Sequence, residues 1–588
     1  MKKTGFLIKL CAMMLALLMV GSLVACTGDN EIDGTTEGNG EESTESGAKE
    51  ESSSVETESK EETTEADTED TEIDLPETNL DLGDEIEYAA NFTVSKVFSS
   101  NMVIQRDECV RVWGWADESE NGKKVSATFM GYKADALIEN GEWEIVFYQR
   151  HEANASLGND LVVYGADIDK ECVFEDILIG DVFMVVGQSN VAYNIGQYLA
   201  SEPELKWTKD QLSEDSIIRF NYNSNTQTAG YPKQGTTEVC KDAINGYGWV
   251  KPDESNVNNF SAIGYLMAVQ IEELTNKGIP VGISQFSASG RPLSVFMPNE
   301  LADAMGTDHF EEAEGIYKGN VHASVVTRYM YNQYMYPFER MPIAGIVWYQ
   351  GEAESSQALA TVYAERFAAL MEYMRSTHNI VHKDFPVFYV EFPSVYKVQL
   401  PDGSYSGEYL DTGRIRAQAC MIPQYLSNSY VAVCTDLWGD EANTNNIHPY
   451  CKYEQAERVS ALMNAVIYGG ITMDEAAGPI LDSYEMSDDN KTLVIKFKNV
   501  GEGLTISDGS TEILGFGAIQ KNNTITDRVS LTIEITAKDT ITITSTKQFN
   551  GVAYNYIAGN FFGRDVNLCD SDGTPVHAFW IYINPRAN

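Results

Sequence analysis

The stretch Asp181-Val182-Phe183-Met184-Val185-Val186-Gly187-Gln188-Ser189-Asn190 decides the fold. Phe183 to Val186 form an unbroken apolar run, so neither side of the segment is polar. That is the pattern of a strand buried on both faces, as in parallel sheets covered by helices. A small polar turn follows at once and delivers Ser189 to the strand's carboxyl end, the edge where open parallel sheets place ligands and chemistry. Two later segments repeat the arrangement: Trp348-Tyr349-Gln350-Gly351-Glu352 follows one apolar strand and Ile447-His448-Pro449 follows another.

Outward from Ser189, strands alternate with helices. Strands are expected at Ile217 to Phe220, Ile279 to Phe286, Ile343 to Tyr349, Val387 to Phe392 and Tyr430 to Cys434. Helices are expected at Ala262 to Leu274, Val325 to Tyr336, Val362 to Met374 and Glu454 to Ile467. This alternation predicts an α/β domain over residues 179–475, a parallel sheet with helices on both faces. The Tyr/Met stripe from Tyr329 to Tyr336 reads as core, and the polar, Asn-rich residues 200–260 read as an insertion over one sheet edge. On either side the pattern is all β. Residues 89–178 read as a small β-sandwich with Asn140-Gly141 as a hairpin turn, and residues 476–588 read as a second β domain.

The chain has 588 residues and a formal charge of -47, much of it concentrated in one segment. Residues 27–87 hold 24 Asp or Glu against Lys49 and Lys60, with Ser, Thr and Gly making up most of the rest. Residues 26–88 therefore carry too little apolar surface to offset ordering entropy and are expected to be a disordered tether. No Lys/Arg cluster interleaved with aromatics occurs, which argues against nucleic acid as a partner. At the start, Lys2 and Lys3 precede an apolar run from Leu10 to Val20, shorter than the roughly 20 residues a spanning helix needs. That pattern predicts a signal peptide over residues 1–25. Leu23-Val24-Ala25-Cys26 resembles the lipobox of bacterial lipoproteins, which implies lipidation at Cys26 and attachment to the outer face of a cell membrane. The other cysteines after Cys26 are odd in number and irregularly spaced, with no C-x-x-C pair, so neither a disulfide framework nor a zinc site is expected.

Hydrolysis of an ester by serine requires a nucleophile, a histidine within hydrogen-bond reach and donors aimed at the developing oxyanion. Ser189 supplies the first at a strand end, and its own N–H is available for the third. Among the seven histidines only His448 follows a sheet strand through an Asp/Asn-rich loop, on the correct side of a parallel sheet. Gln350 can present a side-chain amide and Gly290 a backbone N–H at the same edge, while Glu352 reads as support for its loop.

The blocks Gly187-Gln188-Ser189-Asn190, Trp348 to Glu352 and Ile447 to Pro449 resemble those of the sialate O-acetylesterase-like branch of the SGNH hydrolases. The resemblance extends from residue 92 onward, through Met102 to Gln105, Trp113-Gly114-Trp115, Tyr331-Asn332, Pro337 and Pro575 to Phe579. It implies a flavodoxin-like core between β domains, and removal of O-acetyl groups from sugars without metal or other cofactor. It further implies Ser189 as nucleophile, His448 as base, and Gln350 with a backbone N–H near Gly290 as the oxyanion hole.

Three positions depart from the family pattern. Ser289-Gly290-Arg291 replaces a common Gly-Gly-Thr, which leaves the backbone donor open by one residue and puts Arg291 where an acidic sugar or an ion-pair partner would meet it. Asn446 stands where many members have Asp two residues before the histidine. An Asp-to-Asn change in a protease triad costs about 10⁴-fold, so either Asp436 or Asp440 orients His448 or the pair works as a dyad. Val191 replaces a common Met and affects packing. Against the esterase stands a catalytically weak carbohydrate-binding lipoprotein on the same scaffold. A lipase or thioesterase would need an exposed apolar lid, and an α/β-hydrolase a G-x-S-x-G elbow; the sequence shows neither.

Overall fold

The computed structural model describes residues 75–583 except 157, 202–204, 223–237, 245–247, 305–329, 355–359, 392, 394–411, 438–446, 520–524, 527–530 and 556–565. A mixed α/β body is built on an eight-stranded sheet. Its strands are β1 (Val103–Gln105), β2 (Leu178–Gly187), β3 (Ile218–Asn221), β4 (Trp249–Val250), β5 (Val281–Ser287), β6 (Gly345–Tyr349), β7 (Val387–Val390) and β8 (Ser429–Ala432). The spatial order is β4-β3-β5-β2-β6-β7-β8, with β1 alongside the start of β2. Every pairing is parallel except that of the edge strand β4 with β3.

All ten residues of β2 are buried, as its unbroken apolar run requires. Leaving β2 the chain passes to β3 and back to β5 on one side, then crosses to β6, β7 and β8 on the other. The two neighbours of β2 therefore belong to opposite halves of the sheet, and the carboxyl ends of β5, β2 and β6 flank the point where the strand order reverses. Open α/β sheets form their crevice at such a point.

The main helices are α1 (Ser189–Ala192), α2 (Ala262–Leu274), α3 (Tyr363–Thr377), α4 (Thr412–Met421) and α5 (Lys452–Met463). Neighbouring side chains on a strand point to opposite faces. Trp348 packs edge-on against Phe367 of α3, with ring centres 5.2 Å apart, while the Tyr349 hydroxyl accepts a bond from Gln455 of α5. Helices α3 and α5 consequently cover opposite faces, as the alternating pattern predicts. The Tyr/Met-rich segment begins, among the described residues, at Met330 and forms a single π-helical turn to Met335.

Before the central sheet, antiparallel strands form a three-stranded and a four-stranded sheet over residues 92–174. Asn140 and Gly141 both adopt positive φ, 52° and 74°, between bridged Glu139 and Glu142, the backbone of a two-residue hairpin turn. The apolar core of these sheets is continuous with that of the α/β body. The acidic segment, expected to be disordered up to residue 88, is docked from about residue 79. Leu82 N–H donates to Asp135 Oδ2 at 2.9 Å, Asp135 N–H donates to Leu80 O, and Lys124 N–H to Glu87 O. Its backbone completes hydrogen bonds along Lys124–Phe129 and Tyr132–Leu137, an ordering term that composition does not express. After the sheet, strands from Ile480 onward form two four-stranded antiparallel sheets and a two-stranded one, enclosing an apolar core of their own.

Candidate active site

Ser189 opens α1 directly after β2 and is half-buried. The strand reaches it through Gly187, where a Cβ would lie 2.1 Å from Tyr349 O, so no larger residue fits between β2 and β6. Gln188 N–H donates to the same carbonyl at 3.2 Å. Gln188 provides no side-chain cap, and the first N–H groups of α1 precede the helical ladder.

Asn190 ties the site together. Its amide, 0% exposed, donates from Nδ2 to Glu352 Oε1 at 2.5 Å and to Ile447 O at 3.0 Å, and Oδ1 accepts from Lys452 Nζ at 2.7 Å. One side chain thereby joins the residue after Ser189, the loop after β6 and the carbonyl before His448. Lys452, in the first turn of α5, also donates to Gln455 Oε1 at 3.2 Å and lies over the rings of Tyr349 and Tyr193 at 4.9 and 5.3 Å. Burial pushes the Glu352 carboxyl up to about 7 and the Lys452 ammonium down to about 7. Burial, and then the Lys452 charge, lower the pKa of His448.

Gln350 is placed at this edge with 0% exposure. Its amide donates to Glu354 Oε2 at 2.5 Å, Arg291 O at 3.1 Å and Gln188 Oε1 at 3.4 Å, while Oε1 accepts from the Tyr363 hydroxyl at 2.9 Å. Glu354 also accepts the N–H of Leu293, and burial raises its carboxyl to about 7. Expected to face a developing oxyanion, the Gln350 amide here faces inward and braces the Arg291 turn. Gly290 lies in that turn, exposed, with φ +66° and no atom within 4 Å of a would-be Cβ. It is two residues beyond Ala288, whose N–H donates to Gly187 O at 3.0 Å.

Asp436 follows β8 as expected, but both carboxylate oxygens face the Arg458 fork of α5, at 2.5 and 2.6 Å. It anchors the start of the histidine loop to the helix that ends it. Asp440 and Asn446, the other candidates for orienting His448, lie outside the described residues, as does Cys26. The structure adds two residues that sequence reasoning did not assign. Asn190 carries a weak signal, its place beside Ser189. Lys452 carries none, because a lysine opening an amphipathic helix reads as a solvated end.

Residues 179–424 match the family described as "Carbohydrate esterase, sialic acid-specific acetylesterase". Sialate O-acetylesterases from Homo sapiens and Pongo abelii are each 24% identical to the chain over 330 residues, covering 53% of this chain and 58% of theirs. The match to this carbohydrate-esterase family thus covers the central α/β part of the chain. The chain spans about three-fifths of the length of those relatives. A solved carbohydrate acetylesterase from Xanthomonas citri shares the fold, with a TM-score of 0.66 and 21% identity, covering 84% of this chain and 99% of that one. The family match begins one residue into β2 and ends beyond α4, so it includes Ser189, Gly290 and Gln350 but not His448.

Proposed function

We propose that the chain hydrolyses O-acetyl esters of sugars through an acetyl-serine on Ser189, with His448 as general base. The Asn190 amide supports this reading, because it draws together the turn bearing Ser189, the loop after β6 and the backbone entering His448. Ser189 Oγ bonds to the acetyl carbonyl carbon as His448 takes its proton. The sugar hydroxyl then leaves, reclaiming that proton, and water repeats the sequence to release acetate. Donors to the oxyanion are assigned to the N–H of Ser189 and one N–H of the Ser289-Gly290 turn, with Gln350 holding that turn through Arg291 O. With Asp436 paired to Arg458, either Asp440 orients His448 or Ser189 and His448 work as a dyad with Asn446 or a carbonyl as orienter. The core is assigned to the flavodoxin-like SGNH type. Its substrate class is acetylated sugars, with sialic acids first among them from the names of the relatives. Lipidated Cys26 and the acidic segment after it would hold the enzyme outside the cell membrane. Among the described residues no helix is long and apolar enough to cross a membrane.

Acetate release from acetylated sialosides, xylan, mannan and pectin tests the reading. Wild type is expected to release acetate from at least one, and Ser189→Ala to lower the rate by 10³-fold or more while the protein stays folded. A glycan-binding protein without esterase activity would release no acetate and would bind the same glycans with or without the Ser189 hydroxyl.

A further inference from the structure

The ammonium of Lys452 has no exposed surface, and all its neighbours belong to the edge that carries Ser189 and His448. A buried cation with so many partners is costly to place, and apolar residues of like volume usually serve packing as well or better. Its position therefore calls for a role beyond packing. The geometry supplies one. The Asn190 amide can sit in its slot in two orientations, and only one turns its oxygen toward the ammonium and its two N–H bonds toward Glu352 Oε1 and Ile447 O. The reverse would set an NH₂ against the cation and an oxygen against the carboxylate, and would release Ile447 O.

We propose that Lys452 is a positioning residue of the esterase centre: its ammonium fixes the direction of the Asn190 amide and so seats the Ile447–His448 backbone beside Ser189. This rests on the assignment of Ser189 and His448 given above. Lys452 acts through Asn190 and, by its charge, on His448. The ionisable groups facing it are Glu352 across the Asn190 amide, Cys434 after β8, Cys451 beside it, the rings of Tyr349 and Tyr193, and His448. Glu352 is the facing carboxylate, and it draws positive charge onto Lys452 while lying one amide away. A general base must begin the reaction unprotonated, so a cation four residues along, more fully charged as pH falls below about 7, keeps the base competent into mildly acidic solution.

Three substitutions test this in the full-length protein. Lys452→Met removes both charge and donor, Lys452→Gln keeps a donor without charge and guards against misfolding of the first, and Lys452→Arg keeps the charge. The His448 titration point is read by NMR on protein labelled at histidine Cε1, assigned by the signal lost in His448→Gln, and it needs no turnover. Both neutral variants are expected to titrate at higher pH than wild type, and the acid limb of kcat/KM should move with them. In Lys452→Met, kcat at pH 7 should fall on the order of 10²-fold with KM little changed, as for a base displaced by a fraction of its reach. Lys452→Arg should keep the wild-type titration point. An unchanged His448 titration in both neutral variants would overturn the proposal and leave Lys452 a packing residue. Failure of the esterase reading has a different signature, acetate release that survives Ser189→Ala, and the NMR titration still answers for Lys452.

Discussion

The carboxyl edge of the central sheet and the C-terminal β unit bury opposite kinds of side chain. At the edge Gln188, Asn190, Gln350, Glu352, Glu354 and Lys452 are each at most 7% exposed. In the β unit the corresponding depth is filled by Leu493, Ile495, Ile541, Ile543 and Val552, all with no exposed surface. Burying a polar group without a partner costs free energy that a methyl group does not. The edge meets that cost with a chain of bonds through Asn190 and Gln350, which tie the loop after β6 to the backbone entering His448 and to the Arg291 turn. The β unit buries polar groups too, Asn567, Asp570 and His577 among them, but the cluster at its centre follows the simpler rule of apolar area. On the proposed reading, the linked polar groups at the edge serve the chemistry and the apolar cluster of the β unit serves stability.

The contrast is broken most severely at Asn190. Asn190→Leu removes every bond of the bridge and leaves Glu352 and Lys452 facing an apolar side chain. Steady-state assays are expected to show kcat/KM down by 10²-fold or more, from displacement of the His448 backbone. The same volume change in the other region should do the reverse. Ile543→Ala opens a cavity in the β unit and is expected to cost about 2–5 kcal/mol by urea unfolding, while kcat at a permissive temperature stays within about twofold of wild type. Equal losses of activity from both substitutions would show that the two regions are not distinct in role.

The effect of pH sharpens the contrast more gently. Burial raises the Glu354 carboxyl to about 7 in the folded chain, so the native state holds that proton more tightly than the unfolded one. Its contribution to stability is full below about 4.5 and is lost as pH rises toward 7. His577, in the β unit, is lowered to about 3 by burial, so its contribution is full above about 6.5 and is lost as pH falls from there toward 3. Unfolding curves from pH 4 to 8 should flatten on the alkaline side in Glu354→Gln and on the acid side in His577→Leu. The smallest effect belongs to a pair in neither interior: Lys206, 47% exposed beside Glu457 at 2.8 Å, should lose less than about 1 kcal/mol as Lys206→Ala.

Much of the architecture was legible in the chain. The apolar runs of β2, β5 and β6 point to strands covered on both faces, and helix α2 occupies the expected residues Ala262 to Leu274. Ser189, Gly290 and Gln350 were singled out because each follows an apolar strand, and in three dimensions those strand ends share one sheet edge. Other features depend on partners far away in sequence. The inward turn of the Gln350 amide is set by Glu354 and by the carbonyl of Arg291, 59 residues earlier. The segment from residue 79 to 87 looks too acidic to order, yet a neighbouring sheet accepts its backbone.

By itself, the sequence determined which segments are strands and which strand ends carry Ser189, Gln350 and Gly290. Those properties follow from local periodicity and composition, which need no knowledge of neighbours. Only the tertiary structure decided that Asn190 is a bridge, that Asp436 belongs to Arg458, and that Lys452 is an interior cation. A side chain's solvation, charge state and hydrogen-bond direction are set by whatever closes over it, and at this site the enclosing groups come from β6, from α5 and from the loop before His448.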